Sequence, residues 1–261
     1  MIQQVADLLL RCGGTQSVLP PTQLFNEGWM LRLALDWFSR TGTRAHALSL
    51  QPGARWYSEA LLRSRFLQRF RGDTLAESWT HADGVVGHFR IGEDEGGAAI
   101  IDTDATQLVV TEAKLMSPLS TGTKYAPDFD QAARNVACIA EVLAQSKRRP
   151  EAMTAIGFYL VAPQDQWDSG VFGDLLTKKS IRSKVERRIA TYEKPSDADE
   201  KAAWFDDWFV PTIERAKIEF LSWESIATFI SDADPETGKA YHEFYGRCLH
   251  FNTPRAIRPG K

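Results

Sequence analysis

Apolar and polar positions alternate along this chain with two different periods. In residues 22–40, TQLFNEGWMLRLALDWFSR, the residues Leu24, Leu31, Leu35 and Phe38 fall on one face at helical spacing. Thr22, after Pro20-Pro21, is the expected N-cap, and Arg32 and Asp36 are spaced as an i,i+4 pair on the polar side. Residues 56–71 read as a second helix with arginines on its exposed side. Strand-like runs follow at 79–91, 98–102 and 107–115. EDEGG (93–97) is the expected hairpin turn between the first two, and DTDAT (102–106) the turn before the third. Residues 128–146, rich in Ala, Val, Ile and Leu, predict a helix. AMTAIGFYLVA, 152–162, is apolar on both faces, the pattern of a strand covered by helices on either side. Helices are expected over 171–193 and from 198, then a strand at 217–223. Ser222 is placed to cap the helix after that strand, and Asp234-Pro235 announces a last helix.

The order is helix, a three-stranded meander, helix, strand, helices, strand, helix. It predicts an α/β fold, a mixed central sheet flanked by helices on both faces. The 261 residues suit one domain, with a core over 20–165 and a mainly helical extension packed on it over 166–261.

Composition adjusts this picture in two places. The net charge of −3 names no partner, so a nucleic-acid binder of this composition must gather its basic residues locally. Two stretches do so. Arg44, Arg55, Arg63, Arg65, Arg69 and Arg71 face a single acid, Glu59, within 44–71, and a second run of lysines and arginines spans 178–194. Solvated helix faces produce the same runs. Cys12, Cys138 and Cys248 are odd in number and far apart, which suits reduced thiols in a cytoplasmic protein and provides no zinc spacing. No apolar run is long enough to predict a membrane span.

The candidate chemistry lies in the third strand-like run. Alternation in QLVVTEAKL puts Leu108, Val110, Glu112 and Lys114 on one face, and Val109, Thr111, Ala113 and Leu115 on the other. Glu112 and Lys114 therefore share a face, about 7 Å apart along the backbone. Asp83 heads another apolar strand, where an ionised carboxylate needs a partner. Glu27 lies in line with the apolar face of the first helix and raises the same question, and Gln131 and Asn135 stand one turn apart on the helix after Lys114. A simple ion pair at a strand end would also explain Glu112 and Lys114. Asp102 and Asp104 of the DTDAT turn compete with Asp83 as the acid that joins Glu112, and His81 shares the face of Asp83.

An Asp on one strand (ADG, 82–84), Glu-Ala-Lys at the end of another (112–114) and then a helix (DQAARN, 130–135) resemble the PD-(D/E)XK nuclease superfamily, the restriction-endonuclease-like fold. LFNEGWMLR, 24–32, is similar to its leading helix, which often adds a glutamate. Ala82 stands where that family has proline, and an extra strand falls in the long interval from Asp83 to Glu112. The resemblance implies an αβββαβ core and a nuclease dependent on Mg²⁺, with Mn²⁺ as a substitute. Asp83 and Glu112 would hold the metal with the backbone carbonyl of Ala113, Lys114 would assist the attacking water, and Gln131 and Glu27 would support the site. The implied substrate is nucleic acid, DNA before RNA, and the resemblance leaves a homodimer open. The competing readings are a catalytically inactive nucleic-acid-binding or protein-interaction module of the same fold, and an unrelated α/β enzyme.

Overall fold

The computed structural model describes residues 1–42, 45–92, 97–123 and 125–253. Helix α1 (Ile2–Leu10) and a 3-10 turn at Pro21–Gln23 precede α2 (Glu27–Thr41). Strands β1 (Arg55–Leu62), β2 (Thr80–Gly87), β3 (Phe89–Gly92), β4 (Ala98–Ile101) and β5 (Gln107–Ala113) follow, then α3 (Gln131–Gln145) and β6 (Ala155–Ala162). The remainder is α4 (Gln164–Asp168), α5 (Lys178–Ile189), α6 (Pro195–Trp204), a π turn at Phe205–Phe209, α7 (Val210–Arg215), β7 (Lys217–Ser222), α8 (Trp223–Ala233) and α9 (Pro235–Asn252).

The seven strands form one mixed sheet in the order β3-β4-β1-β2-β5-β6-β7. β1, β2 and β5 pair antiparallel, whereas β5, β6 and β7 pair parallel. The segments α2, β1, β2, β5, α3 and β6 thus follow one another as αβββαβ, with the β3–β4 hairpin inserted between β2 and β5. Helix α3 closes one face with α5 and the α6–α7 region, around Val110, Phe158 and Ile139. Helices α2, α8 and α9 close the other, around Leu31, Leu35, Val109 and Trp223. The two clusters make a helix–sheet–helix sandwich. No helix among the described residues is long and apolar enough to cross a membrane.

Several expectations need correction. The segment read as a helix over 56–71 is strand β1 followed by irregular chain with a turn at 65–66. Burial alternates there, with Ala60, Leu62, Ser64 and Phe66 inside and Arg63 exposed. Sheet pairing on both sides of β1 overrides the helix-forming composition of ALLRSRFLQR. β1 also lies between β4 and β2, so the three later strand runs are not a simple meander. The N-cap of α2 is Asn26, whose side chain accepts the Trp29 N–H at 3.0 Å, and not Thr22. Arg32 reaches across to Glu59 of β1 at 3.3 Å, and Asp36 pairs with Arg40 at 2.9 Å. The residues of the EDEGG turn at 93–96, like Arg44, lie outside the described residues. Ser222 and Asp234 cap α8 and α9 as expected, through Ser225 N–H and Thr237 N–H.

Candidate active site

The site forms where β2 and β5 part. Their ladder runs from Gly87 opposite Leu108 to Gly84 opposite Thr111 and stops there. Gly84 has no room for a side chain. A Cβ would stand 2.5 Å from Thr111 Oγ1 and 2.9 Å from Leu35 Cδ1, so α2 lies directly on this backbone. One residue earlier the alternation of β2 slips. Gly84 and Val86 face α2, yet Ala82 packs with the α3 side. On β1 the matching position is Glu59, between the pairs Ser58–Gly84 and Ala60–Ala82, and its φ of +58° is a left-handed, bulge-like conformation. The paired strands turn together here, and Asp83 leaves the regular ladder. Its Oδ2 accepts the Ala113 N–H at 2.8 Å, so a side chain takes the place of a ladder partner.

Glu112 follows the register foreseen for β5, on the α3 face with Leu108 and Val110. It is buried, at 1% exposure. Lys114 Nζ donates to its Oε1 at 2.7 Å, and Gln131 Nε2 donates to the same oxygen. Asn135 Nδ2 approaches Oε2 at 3.4 Å. The orientation of the Gln131 amide is fixed by its other end, since its Oε1 accepts the Ser120 N–H at 3.2 Å. The Asp83 carboxyl stands within charge and hydrogen-bonding reach of Glu112. Burial, and then the charge of Asp83, push the Glu112 carboxyl up to about 8 against the pull of Lys114. Sequence reasoning missed Trp223, whose indole Nε1 donates to the Lys114 carbonyl at 2.8 Å and anchors its backbone. That contact spans 109 residues, and no local pattern announces it.

The predicted residues divide cleanly. Asp83, Glu112, Ala113, Lys114 and Gln131 come together. Glu27 begins α2, half-buried, where its charge is felt by Cys248 of α9, and it makes no hydrogen bond to Glu112 or Lys114. Asp102 and Asp104 occupy the turn ahead of β5, and Glu112 is near the end of that strand, so Asp83 is the acid beside it. His81 is exposed. His88 ties Pro52 O at 3.0 Å to the start of β5, through Thr106 N–H and Gln107 N–H, far along the sheet.

The basic stretches are largely committed to internal partners. Arg65 pairs with Glu200, Arg69 with Asp73 and Asp197, and Arg188 with Glu77. Lys184 pairs with Asp130, the N-cap of the helix that begins with Gln131. Arg63, Lys179 and Arg187 remain exposed on the surface.

Among the described residues no three His, Cys, Asp or Glu side chains cluster to hold a metal. A cation here would meet two carboxylates and backbone oxygen. The Ala113 N–H points at Asp83, and its carbonyl leaves the same edge of β5. So sparse an oxygen set suits a hard ion that keeps several waters, as Mg²⁺ does. Two adjacent acids, one so reluctant to ionise, also fit a pair awaiting a cation. Comparisons with family models, with curated proteins and with solved structures find no match to this chain.

Proposed function

We propose that the chain is a Mg²⁺-dependent nuclease that hydrolyses phosphodiester bonds, DNA being the favoured substrate. The observation that carries this reading is the adjacency of the Asp83 and Glu112 carboxyls with Lys114 on Glu112 at 2.7 Å. The αβββαβ order, with Asp83 on β2, Glu112-Ala113-Lys114 at the end of β5 and Gln131 opening α3, supports the resemblance to PD-(D/E)XK nucleases.

Asp83, Glu112 and the Ala113 carbonyl would hold Mg²⁺, which supplies Lewis-acid stabilisation of the charge on the phosphate and a more acidic water. Lys114 would orient the attacking water and neutralise charge on the phosphate oxygens. Gln131 and Asn135 hold Glu112 in place. Trp223 fixes the backbone from which Lys114 extends.

The second reading is a catalytically inactive module, and the internal pairing of Arg65, Arg69 and Arg188 favours it, because those arginines cannot also neutralise phosphates. A cleavage assay on linear, circular and single-stranded DNA with Mg²⁺ or Mn²⁺ separates the two. Metal-dependent cutting that disappears in a folded Lys114→Ala protein is the expected result. Cutting by that variant at the wild-type rate would remove the assignment.

A further inference from the structure

A depression of about 560 Å³ opens on the α2 face of the sheet, at the end away from Glu112. Gln107 in its wall lies five residues before Glu112 on β5, or about 16 Å along the strand. Val109 and Tyr159 line its floor, and Arg215, Lys217 and Glu219 stand along one side. The register makes these neighbours, since Gly157 pairs with Val109 and Lys217, and Tyr159 with Glu219. On the opposite wall the polar groups satisfy one another. Gln51 Nε2 donates to Thr154 Oγ1 at 2.8 Å, and Gln107 Nε2 donates to the Ser49 carbonyl at 2.8 Å.

Tyr159 is the exception. Its side chain folds back along β6 over Gly157, where a Cβ would stand 3.0 Å from the ring Cζ and 3.1 Å from the hydroxyl. The residue is 4% exposed, and its hydroxyl has no hydrogen-bond partner among the described residues. Burial, and then the nearby Glu219, push its pKa up to about 12, so it is a neutral donor facing a polar space. The hydroxyl is thus open to the depression, and a cavity of this size admits an organic molecule.

We propose that this depression binds a small hydroxylated organic phosphate, either a sugar phosphate or a nucleoside monophosphate. Two cations at the rim, Arg215 and Lys217, match a phosphomonoester dianion. Arg215 already spends one nitrogen on the Met153 carbonyl at 3.1 Å, which holds its guanidinium while its other donors have no partner among the described residues. Glu219 accepts only, so it calls for a ligand hydroxyl, and Tyr159 donates to a ligand oxygen. The floor, Val109 and the ring of Tyr159, takes the face of a sugar or base. None of this depends on Asp83 or Glu112, and the proposal survives if the nuclease reading fails.

Calorimetric titration of the full chain in EDTA tests it, with ribose 5-phosphate, adenosine 5′-monophosphate, inorganic phosphate and adenosine as probes. At least one organic phosphate should bind saturably, about tenfold or more tighter than inorganic phosphate or adenosine. Which of the two binds identifies the ligand class. Tyr159→Phe, which removes one oxygen, should weaken binding about tenfold, the value of one hydrogen bond near 1.4 kcal/mol. The exposed pair Arg215→Ala and Lys217→Ala should weaken it further, and Lys114→Ala should leave it unchanged. No binding of either organic phosphate at millimolar concentration would overturn the proposal. So would binding that is equal for inorganic phosphate, or unaltered in both Tyr159→Phe and the Arg215/Lys217 double variant.

Discussion

Three glutamates are buried on the α3 side of this protein, and the surroundings of two of them, Glu77 and Glu112, make those two opposites. Glu77, in the irregular segment between β1 and β2, faces Arg188 at 2.9 Å, with both side chains at 3% exposure or less. Ser64 donates to its other oxygen at 3.3 Å, and the Arg188 guanidinium lies over the rings of Phe66 and Tyr192. Burial raises the Glu77 carboxyl and Arg188 holds it back. Glu112 is as deeply buried, but beside its lysine it has a second acid, Asp83. One centre is a sealed pair in which every charge has its opposite. The other sets two acids against one positive group, in a gap where two strands part. A fold optimised only for stability has no use for the second arrangement.

Removing the cation from each centre should separate their roles most sharply. Lys114→Met should lower metal-dependent cleavage by about 10²–10⁴-fold, the scale of a positioned acid–base group. Its melting temperature should move little, because Glu112 can keep its proton. Arg188→Met should do the reverse. It leaves Glu77 buried without a counter-charge, which costs about 3–5 kcal/mol, readable by urea unfolding, while the folded fraction keeps its specific activity. Loss of activity in Arg188→Met at temperatures where it stays folded would erase the distinction.

The pH dependence of stability distinguishes them next. Glu112 has a folded-state pKa near 8 against 4.5 for the ordinary carboxyl, so the folded protein holds a proton that the unfolded chain has released. The stability this confers is fully present below pH 4.5 and is lost as pH rises to about 8. Unfolding in EDTA between these limits should show the decline, and Glu112→Gln should flatten it. Saturating Mg²⁺ should also flatten it in the wild type, with the cation taking the place of the proton. Glu77 shifts in the same direction, but its share of the slope should ignore Mg²⁺. A slope that Mg²⁺ leaves untouched would deny the cation site.

The two centres also differ in how far the sequence disclosed them. β5, α3 and β6 were legible because their apolar patterns are long and agree with their propensities. The faces of Glu112 and Lys114 followed from alternation alone. β1 was not legible. The ALLRSRF stretch, which runs from β1 past its end, has helix-forming composition, and the informative signal is Arg63 and Arg65 alternating with Ser64 and Phe66. Misreading β1 hides the reason Asp83 reaches Glu112, because the slip at Asp83 is shared with Glu59 across the β1–β2 pair. The arginines could not be sorted from sequence either. Whether Arg65 meets DNA or Glu200 is decided by a contact between residues 135 positions apart.

The smallest expected effects give the closest comparison, since they remove one neutral donor from each carboxylate. Ser64→Ala takes the hydroxyl from Glu77 and should cost about 1 kcal/mol of stability without altering the cleavage rate. Gln131→Leu takes an amide donor from Glu112 and leaves the Ser120 N–H without its acceptor, so its stability cost should be similar. Here, however, the carboxylate that loses its support is the one proposed to hold the cation. The rate should fall about tenfold, with the Mg²⁺ concentration for half-maximal activity rising in step. Equal stability losses with a rate effect at only one centre would place the chemistry at Glu112. Equal behaviour in both assays would mean that the Asp83–Glu112 pair is as structural as Glu77 with Arg188.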